Sequence, residues 1–313
     1  MIRPPALLRP LRSVAAALLA AILALPAVAA DLPGQVRVAG AMRTYTLHVP
    51  DKAAPRRGFP LVFAFHGGGM QGEGMRRMTG LDAVADARGF IVVYPDGADG
   101  HWNDGRATIR HPQDDVAFVS AMIDQLGRGR RIDRKRIYAT GISNGALFAQ
   151  RVGCVLARRI AAIAPVAGTM PADLAPACKP ARPVAVLQID GTADPIMPFK
   201  GGAVADFGGR GEGGNVLSVV DTISFWTRAN GCGVPDVPQV LPPVVANDPT
   251  RISRTRYTDC ARGGAVTLMT VVGGGHTWPG SPAPPRPAVT GPLSRQLDAS
   301  TAIADFFLAQ PPR

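Results

Sequence analysis

The chain has 313 residues, of which 46% are hydrophobic and 18% charged, and its formal net charge is +11. The length allows one large hydrophobic core. The positive charge is spread along the chain as arginine pairs and forms no long basic run interleaved with aromatic residues, so the composition argues against a nucleic-acid-binding protein. These pairs lie at 56–57, 76–77, 130–131 and 158–159.

The first 30 residues have the pattern of a secretory signal. Three arginines precede an apolar run over 14–25, and the small residues at 27–30 offer a cleavage site. The apolar run is too short to span a bilayer, and no cysteine lies near the cleavage site, so we expect no stable membrane anchor. We predict a cleaved signal peptide over 1–30 and one exported domain over 31–313, whose net charge falls from +11 to +8 when Arg3, Arg9 and Arg12 are removed.

Apolar runs alternate with helical patterns along the rest of the chain. This alternation predicts a mostly parallel central sheet with helices on both faces, in a single α/β domain. The predicted strands are 45–49, 61–65, 90–94, 136–139, 160–166, 184–189 and 266–272. The predicted helices are 79–88, 115–126, 146–157, 216–230 and 298–309.

Three segments have no regular pattern. Residues 201–214 are rich in glycine and predict a mobile loop or rim, and residues 235–247 are rich in proline and predict a surface segment. Residues 279–292 follow a histidine motif directly, so we expect them to shape the entrance to a site.

A G-x-S-x-G motif over 141–145 carries the strongest functional signal. An apolar strand precedes it and an apolar helix follows, so the motif predicts a sharp turn that presents Ser143 as a nucleophile. Gly141 and Gly145 lack the Cβ that would prevent such a tight turn. A serine hydroxyl is a weak nucleophile on its own and needs a base and an acid elsewhere in the chain.

His276 is the best candidate for the base. It follows a predicted strand and three glycines, so its imidazole can reach a serine on a central turn. The acid should lie between serine and histidine in the chain. The turn after the strand 184–189 contains Asp190 and Asp194, and its loop position favours Asp194, with Asp190 as the alternative.

A second glycine-rich turn, His66-Gly67-Gly68-Gly69, follows the predicted strand 61–65. Backbone amides in such a turn can stabilise the oxyanion of an acyl-transfer intermediate. We expect one oxyanion donor from the region of Gly67 and Gly68 and the other from the amide of Asn144. His66 itself is expected to support the loop rather than to transfer protons.

The other histidines and the tryptophans have weaker signals. His48 lies in an alternating strand and is predicted to be exposed, and His111 has no evident role. Trp102 and Trp278 are candidates for lining the substrate cleft, although a tryptophan at a loop base is as often a packing residue. Trp226 lies on a predicted helix and is expected in the core.

Four cysteines, at 154, 178, 232 and 260, remain in the predicted exported domain. An even number in an oxidising compartment indicates two disulfides, and four cysteines allow three pairings. We favour Cys154–Cys178 and Cys232–Cys260, because each closes a local excursion between core elements; free buried thiols are the alternative. No C-x-x-C spacing occurs, so we expect no metal site and no cofactor.

Taken together, the motifs resemble those of exported α/β-hydrolase esterases of the poly(3-hydroxybutyrate) depolymerase and feruloyl esterase group. The resemblance runs in order across nearly all of the predicted exported domain. It rests on residues 66–68, 102–103, 115–119, 138–145, 164–168, 191–195, 230–232 and 275–280.

The resemblance implies an α/β-hydrolase fold with Ser143 as nucleophile, Asp194 as acid and His276 as base. It implies hydrolysis of small-molecule or oligomeric carboxylic esters through an acyl-enzyme, with feruloyl, acetyl or short hydroxyalkanoate esters as the substrate class. Gly68 stands where many depolymerases of this group have cysteine, and we expect no separate polymer-binding domain. The alternatives are a depolymerase acting on insoluble polyester and a secreted binding module without activity.

Overall fold

The structure is a computed structural model that describes residues 1–2, 30–129, 132–206, 209, 211–284 and 286–313. The predicted signal peptide lies almost entirely outside these residues. Among the described helices, none is both long enough and apolar enough to cross a membrane.

A ten-stranded sheet forms the centre of the described chain. Its strand order is β1-β2-β4-β3-β5-β6-β7-β12-β11-β10, and the six strands from β4 to β12 in this order pair in parallel, whereas the outer strands pair antiparallel. A separate antiparallel pair joins β8 and β9. The strands are β1 Ala30–Val38, β2 Ala41–Val49, β3 Phe59–Phe65, β4 Ile91–Pro95, β5 Ile132–Ile142, β6 Ala162–Val166, β7 Ala185–Gly191, β8 Gly202–Ala203, β9 Asn215–Val216, β10 Gln239–Val240, β11 Arg251–Tyr257 and β12 Val266–Val272.

Helices cover both faces of the sheet. The helices are α1 Gly72–Thr79, α2 Leu81–Arg88, α3 Asp115–Gly129, α4 Asn144–Val155, α5 Val219–Ala229, α6 Pro287–Thr290 and α7 Ala299–Ala309, with a 3₁₀ turn at Ala175–Ala177. Side chains of α3, α4 and α5 belong to one hydrophobic core, and those of α1, α2 and α7 belong to the other. Successive residues of β3 alternate between these cores, because strand side chains point to opposite faces.

The architecture is the predicted α/β fold, with differences at element ends and sheet edges. The predicted helix 79–88 is α2, which begins at Leu81, and the helix α1 before it was not predicted. Gly80 adopts a left-handed conformation (φ 60°) that ends α1 before α2 begins. The edge strand β1 and the strand β11, which lies between β12 and the edge strand β10, were not predicted. The irregular segments 201–214 and 235–247 contain the two-residue strands β8 and β10, and 279–292 contains α6.

Both expected disulfides are present. Cys154 at the end of α4 is bonded to Cys178, and Cys232 after α5 is bonded to Cys260. Each bond closes a local loop, with sequence separations of 24 and 28 residues. The prediction of these pairings is therefore confirmed.

The prediction that His48 is exposed is wrong. Its side chain is buried between β1 and α2, where Nδ1 contacts Asp31 Oδ1 at 2.9 Å and Nε2 contacts Asp86 Oδ1 at 3.0 Å. Burial lowers the pKa of His48, but the bond to Asp31, the charge of Asp82 and the bond to Asp86 outweigh it, so the net shift of the pKa is upward. The imidazole of His48 thus ties the edge strand β1 to the helix α2.

Candidate active site

Ser143 lies in the sharp turn between β5 and α4. Its backbone adopts φ 58° and ψ −127°, a conformation that costs a residue with a side chain about 1–3 kcal/mol. The Ser143 amide donates to the Val166 carbonyl of the neighbouring strand at 3.1 Å. This strained turn holds the serine at the carboxyl end of the central strand, as the G-x-S-x-G motif predicts.

The two motif glycines are required by close backbone approach. A Cβ on Gly145 would lie within 3 Å of the carbonyl oxygens of Phe65 and His66, and a Cβ on Gly141 would meet the carbonyl group of Gly145. Real Cβ contacts do not occur at such distances. Any other residue at these positions would force the strand β3 away from the turn.

His276 and Asp194 are in direct contact. The Nδ1 atom of His276 lies 2.8 Å from Oδ2 of Asp194, and both side chains are buried. The other carboxylate oxygen, Oδ1, accepts hydrogen bonds from the amides of Ile196 and Met197, each at 2.8 Å. Because these two amides fix the carboxylate, Asp194 can orient the imidazole and stabilise its charged form.

Asp190, the alternative acid, has different partners. Its Oδ1 accepts from the amide of Gly168 at 3.0 Å and its Oδ2 accepts from Gln188 Nε2 at 2.6 Å. Burial raises the pKa of Asp190 to about 7, and the charge of Asp194 adds to that shift. The imidazole of His276 is thus hydrogen-bonded to Asp194, while Asp190 contacts Gln188 within β7 and Gly168 just after β6.

The segments predicted to supply the oxyanion donors lie beside Ser143. A Cβ on Gly67 would lie 3.4 Å from the Ser143 Cβ, and one on Gly68 would lie 3.9 Å from the Asn144 Cβ. Within the described chain, no acceptor takes a hydrogen bond from the amides of Gly68 or Asn144. Asn144 is the first residue of α4, where amides lack intrahelical partners and the helix dipole favours negative charge.

A buried hydrogen-bond network holds this loop in place. His66 Nδ1 lies 2.8 Å from the Gly67 carbonyl oxygen, and His66 Nε2 accepts from the Gly97 amide at 2.8 Å. Nδ1 therefore carries the proton. Burial lowers the pKa of His66 to about 4, so the ring is neutral at pH 7. These contacts support the loop role expected for His66.

Trp102 is not a cleft residue, so this prediction is wrong. Its side chain is fully buried, stacks on Phe148 at 5.1 Å between ring centroids and donates from Nε1 to the His66 carbonyl at 3.0 Å. The Trp102 amide donates to Asn144 Oδ1 at 2.8 Å. Trp102 therefore joins His66, at the start of the glycine-rich turn, to Asn144 at the start of α4.

Trp278 is also misassigned as a cleft residue. Only 1% of its surface is exposed, and its Nε1 donates to Ser300 Oγ at 3.0 Å, which places it in the core with α7. Trp226 is buried as expected and donates to Gln150 Oε1 at 2.6 Å. A single sequence does not separate buried from cleft-lining tryptophans, because both environments require large apolar side chains with one polar contact.

A small cavity of about 30 Å³ lies next to Ser143. Its wall includes two charged side chains that the sequence motifs do not contain: Arg106, paired with Asp104 at 2.7 Å, and Glu212, paired with Arg110 at 3.1 Å. Neither stands in a recognisable pattern, so no sequence signal identified them. The cavity is lined by Gly68, His101, Arg106, Ser143, Asn144, Ile196, Met197, Val204, Ala205, Gly211 and Glu212.

Ser143 and His276 are not directly bonded. Across the described residues, Ser143 Oγ makes no hydrogen bond. Catalytic hydrogen bonds are often long or poorly aligned without substrate and tighten in the complex. The arrangement provides a strained serine, a carboxylate-oriented histidine and free amides at a helix start, which are the parts that acyl transfer to serine requires.

One group of described side chains has metal-ligand spacing, away from this site. Ligand atoms of Asp31, His48 and Asp82 lie within 4.8 Å of one another. The guanidinium of Arg76 bonds to both carboxylates, with Nε 2.5 Å from Asp82. A positive charge already stands where a cation would bind.

Comparison with known proteins agrees with this architecture. Residues 43–196 match the family described as Esterase PHB depolymerase. A putative esterase, NocK, from Nocardia uniformis subsp. tsuyamanensis is 36% identical over 282 residues, which are 88% of this chain and 81% of NocK. Feruloyl esterase B from Piromyces equi is 33% identical over 236 residues, 72% of this chain but 40% of that protein.

The fold also has solved counterparts. An acetyl xylan esterase from Aspergillus awamori superposes with a TM-score of 0.54 at 16% identity, covering 79% of this chain and 94% of that one. With the sheet order and helix layers described above, this establishes an α/β-hydrolase fold. The fold and its relatives define a carboxylic ester hydrolase. The chain belongs to the Esterase PHB depolymerase family.

Proposed function

We propose that this esterase is a serine hydrolase in which Ser143, His276 and Asp194 form the catalytic triad. The observation that carries the proposal is the 2.8 Å contact between His276 Nδ1 and an Asp194 carboxylate already held by two amides. His276 Nε2 takes the Ser143 proton as Oγ attacks the ester carbonyl, and returns it to the leaving alcohol. Water then attacks the acyl-enzyme, with His276 taking its proton and returning it to Ser143 Oγ, and the acid is released.

The tetrahedral intermediates carry a negative charge on the former carbonyl oxygen. We assign its stabilisation to the amide of Asn144 and an amide of the Gly67–Gly68 turn. The support for this assignment is the position of both segments beside Ser143 and the dipole of α4, whose amino end follows Ser143 directly. Loss of one oxyanion donor costs about 10²–10³ in kcat in serine hydrolases.

The substrate class follows from the cavity beside Ser143. A volume of about 30 Å³ is far below the roughly 300–1,000 Å³ of pockets that bury drug-sized ligands. Among acetyl, short hydroxyalkanoyl and feruloyl esters, the cavity favours the acetyl group, the smallest of these. Its mixed wall, with Ile196 and Met197 beside Arg106 and Glu212, suits a short acyl chain next to a polar alcohol such as a sugar.

The test has two independent parts. Replacing Ser143→Ala should abolish p-nitrophenyl acetate hydrolysis and labelling by a fluorophosphonate probe, and a variant that is still labelled would contradict the nucleophile assignment. A panel of p-nitrophenyl acetate, acetylated xylan, methyl ferulate and hydroxybutyrate oligomers should give the highest kcat/KM on acetyl esters. A preference for methyl ferulate or polymer would overturn the acyl-size argument alone.

We further propose that the domain over 31–313 is exported after cleavage of residues 1–30. Two disulfides among the described residues support this, since such bonds persist in oxidising compartments. Amino-terminal sequencing of the protein recovered outside the cytoplasm should begin at Ala30 or Asp31. An uncleaved protein retained in the cytoplasm would refute the proposal.

A further inference from the structure

A second and larger cavity, of about 420 Å³, lies at the other end of the sheet. It is lined by Lys135 near the start of β5, by Pro183 before β7 and by Gly263 before β12. Ser143 follows Lys135 by eight residue steps along and just beyond β5, which corresponds to about 26 Å of extended strand. This basic cavity is therefore separate from the proposed catalytic site.

The wall of the basic cavity carries only positive side-chain charge. Its charged residues are Lys135, Arg182, Arg262 and Arg313, and its other described lining residues are Pro183, Gly263, Pro311 and Pro312. Lys135, Arg182 and Arg262 are exposed, and in the described part of the chain their side chains make no ion pair. The nearest carboxylate along the chain, Asp133, accepts the amide of Lys135 at 2.9 Å.

Arg313 is built into the floor of the basic cavity. Its guanidinium donates to the carbonyl oxygens of Ala157 and Pro183, the latter at 2.6 Å, and its amide donates to Lys135 at 3.2 Å. All of these partners are neutral. Burial lowers the pKa of Arg313 to about 10, and the positive charge of the neighbouring Arg182 adds to that shift.

We propose that the basic cavity binds a small, multiply charged oxyanion, that is, a compact molecule with two or more carboxylate or phosphate groups. Three arginines line this one cavity, and the planar guanidinium group matches the geometry of carboxylate and phosphate oxygens. Several cations around one space favour a multivalent anion over a single charge, because the attraction of each cation adds to that of the others and grows with the charge of the anion. The anion relieves the repulsion between Arg182 and Arg313 and ties together the starts of three strands.

The probes are tripolyphosphate and citrate, titrated into the full protein by calorimetry. The ionic strength is held fixed, because a change in salt concentration would itself weaken the attraction between the cavity and the anion. The test variant is Arg182→Gln with Arg262→Gln, since both side chains are exposed and their loss leaves the core intact. The control is Arg56→Gln with Arg57→Gln, which removes the same charge from an exposed stretch far along the chain.

We expect saturable binding of at least one probe with a stoichiometry of one, weakened at least tenfold in the test variant and unchanged in the control. Hydrolysis of p-nitrophenyl acetate should be the same in all three proteins. Absence of saturable binding would overturn the proposal, since the cations would then be balanced by the chain itself. Equal weakening in both variants would also overturn it, as that result reflects net charge rather than a site.

Discussion

The orientation of the Asp194 carboxylate leads to a sharp prediction for Asp194→Asn. Oδ1 accepts two amides, from Ile196 and Met197, so the carbonyl oxygen of an asparagine must occupy that position. Its NH₂ group then faces His276 Nδ1, which has to become the unprotonated nitrogen. The ring proton moves to Nε2, the atom that must accept the proton of Ser143.

The expected loss is large because the base is present but in the wrong tautomer. The corresponding change in serine hydrolase triads lowers kcat about 10⁴-fold, which corresponds to about 5 kcal/mol of transition-state stabilisation. KM for p-nitrophenyl acetate should change little, since Asp194 is not among the residues that line the cavity beside Ser143. Initial rates at saturating and limiting substrate separate these two parameters.

Asp190→Asn is the matched control, because it makes the same chemical change in the neighbouring carboxylate. Asp190 contacts Gly168 and Gln188 rather than the imidazole, so its variant should retain kcat within about tenfold. Thermal unfolding by circular dichroism checks that both variants are folded. Equal losses of kcat in the two variants, or a greater loss for Asp190→Asn, would refute the assignment of the acid.

Three further predictions concern the scaffold. Gly145→Ala should lower the free energy of unfolding by about 1–3 kcal/mol and kcat at least 100-fold, whereas Gly129→Ala, whose Cβ meets nothing within 4 Å, should be neutral in urea unfolding and in the assay. Replacing both Cys154 and Cys178 by alanine should lower the free energy of unfolding by about 3–4 kcal/mol in urea, because the bond closes a loop and restricts the unfolded chain. A loss below about 1 kcal/mol would contradict this reason. His48→Gln should destabilise the protein by about 1 kcal/mol at pH 6 and by less at pH 9, because a group with a raised pKa contributes stability that is lost as the pH rises through that pKa. Urea unfolding at both pH values tests this. A loss of stability that is the same at both pH values would contradict a stabilising role for the charged imidazole.

The central strands and the residues around Ser143 could be predicted because each has a strong local signal. Strands such as β3 are apolar on both faces, and the serine turn needs glycine at fixed positions for backbone clearance. The burial of Trp102 and Trp278 could not be predicted, since it depends on their partners Phe148 and Ser300, which are distant in sequence.

The surroundings of His48 and the cavity wall beside Ser143 could not be predicted from the sequence either. His48 stands in an alternating strand that predicts exposure, and its burial arises from carboxylates of β1 and α2 that arrive through tertiary packing. The cavity wall beside Ser143 likewise combines Arg106 and Glu212, which are far apart in the chain. Neither arrangement has a periodicity or spacing that a sequence pattern could report.

Helix α4 is the most deeply buried helix of the described chain, with ten of its twelve residues buried, and Ser143 lies directly before it. Local opening usually begins where few apolar contacts hold the backbone, and α4 has no such segment. The hydrogen-bonded amides of α4 should therefore exchange with solvent only when the whole domain unfolds. The reactivity of the serine then reports on global folding, so heat inactivation should coincide with loss of the sheet rather than precede it.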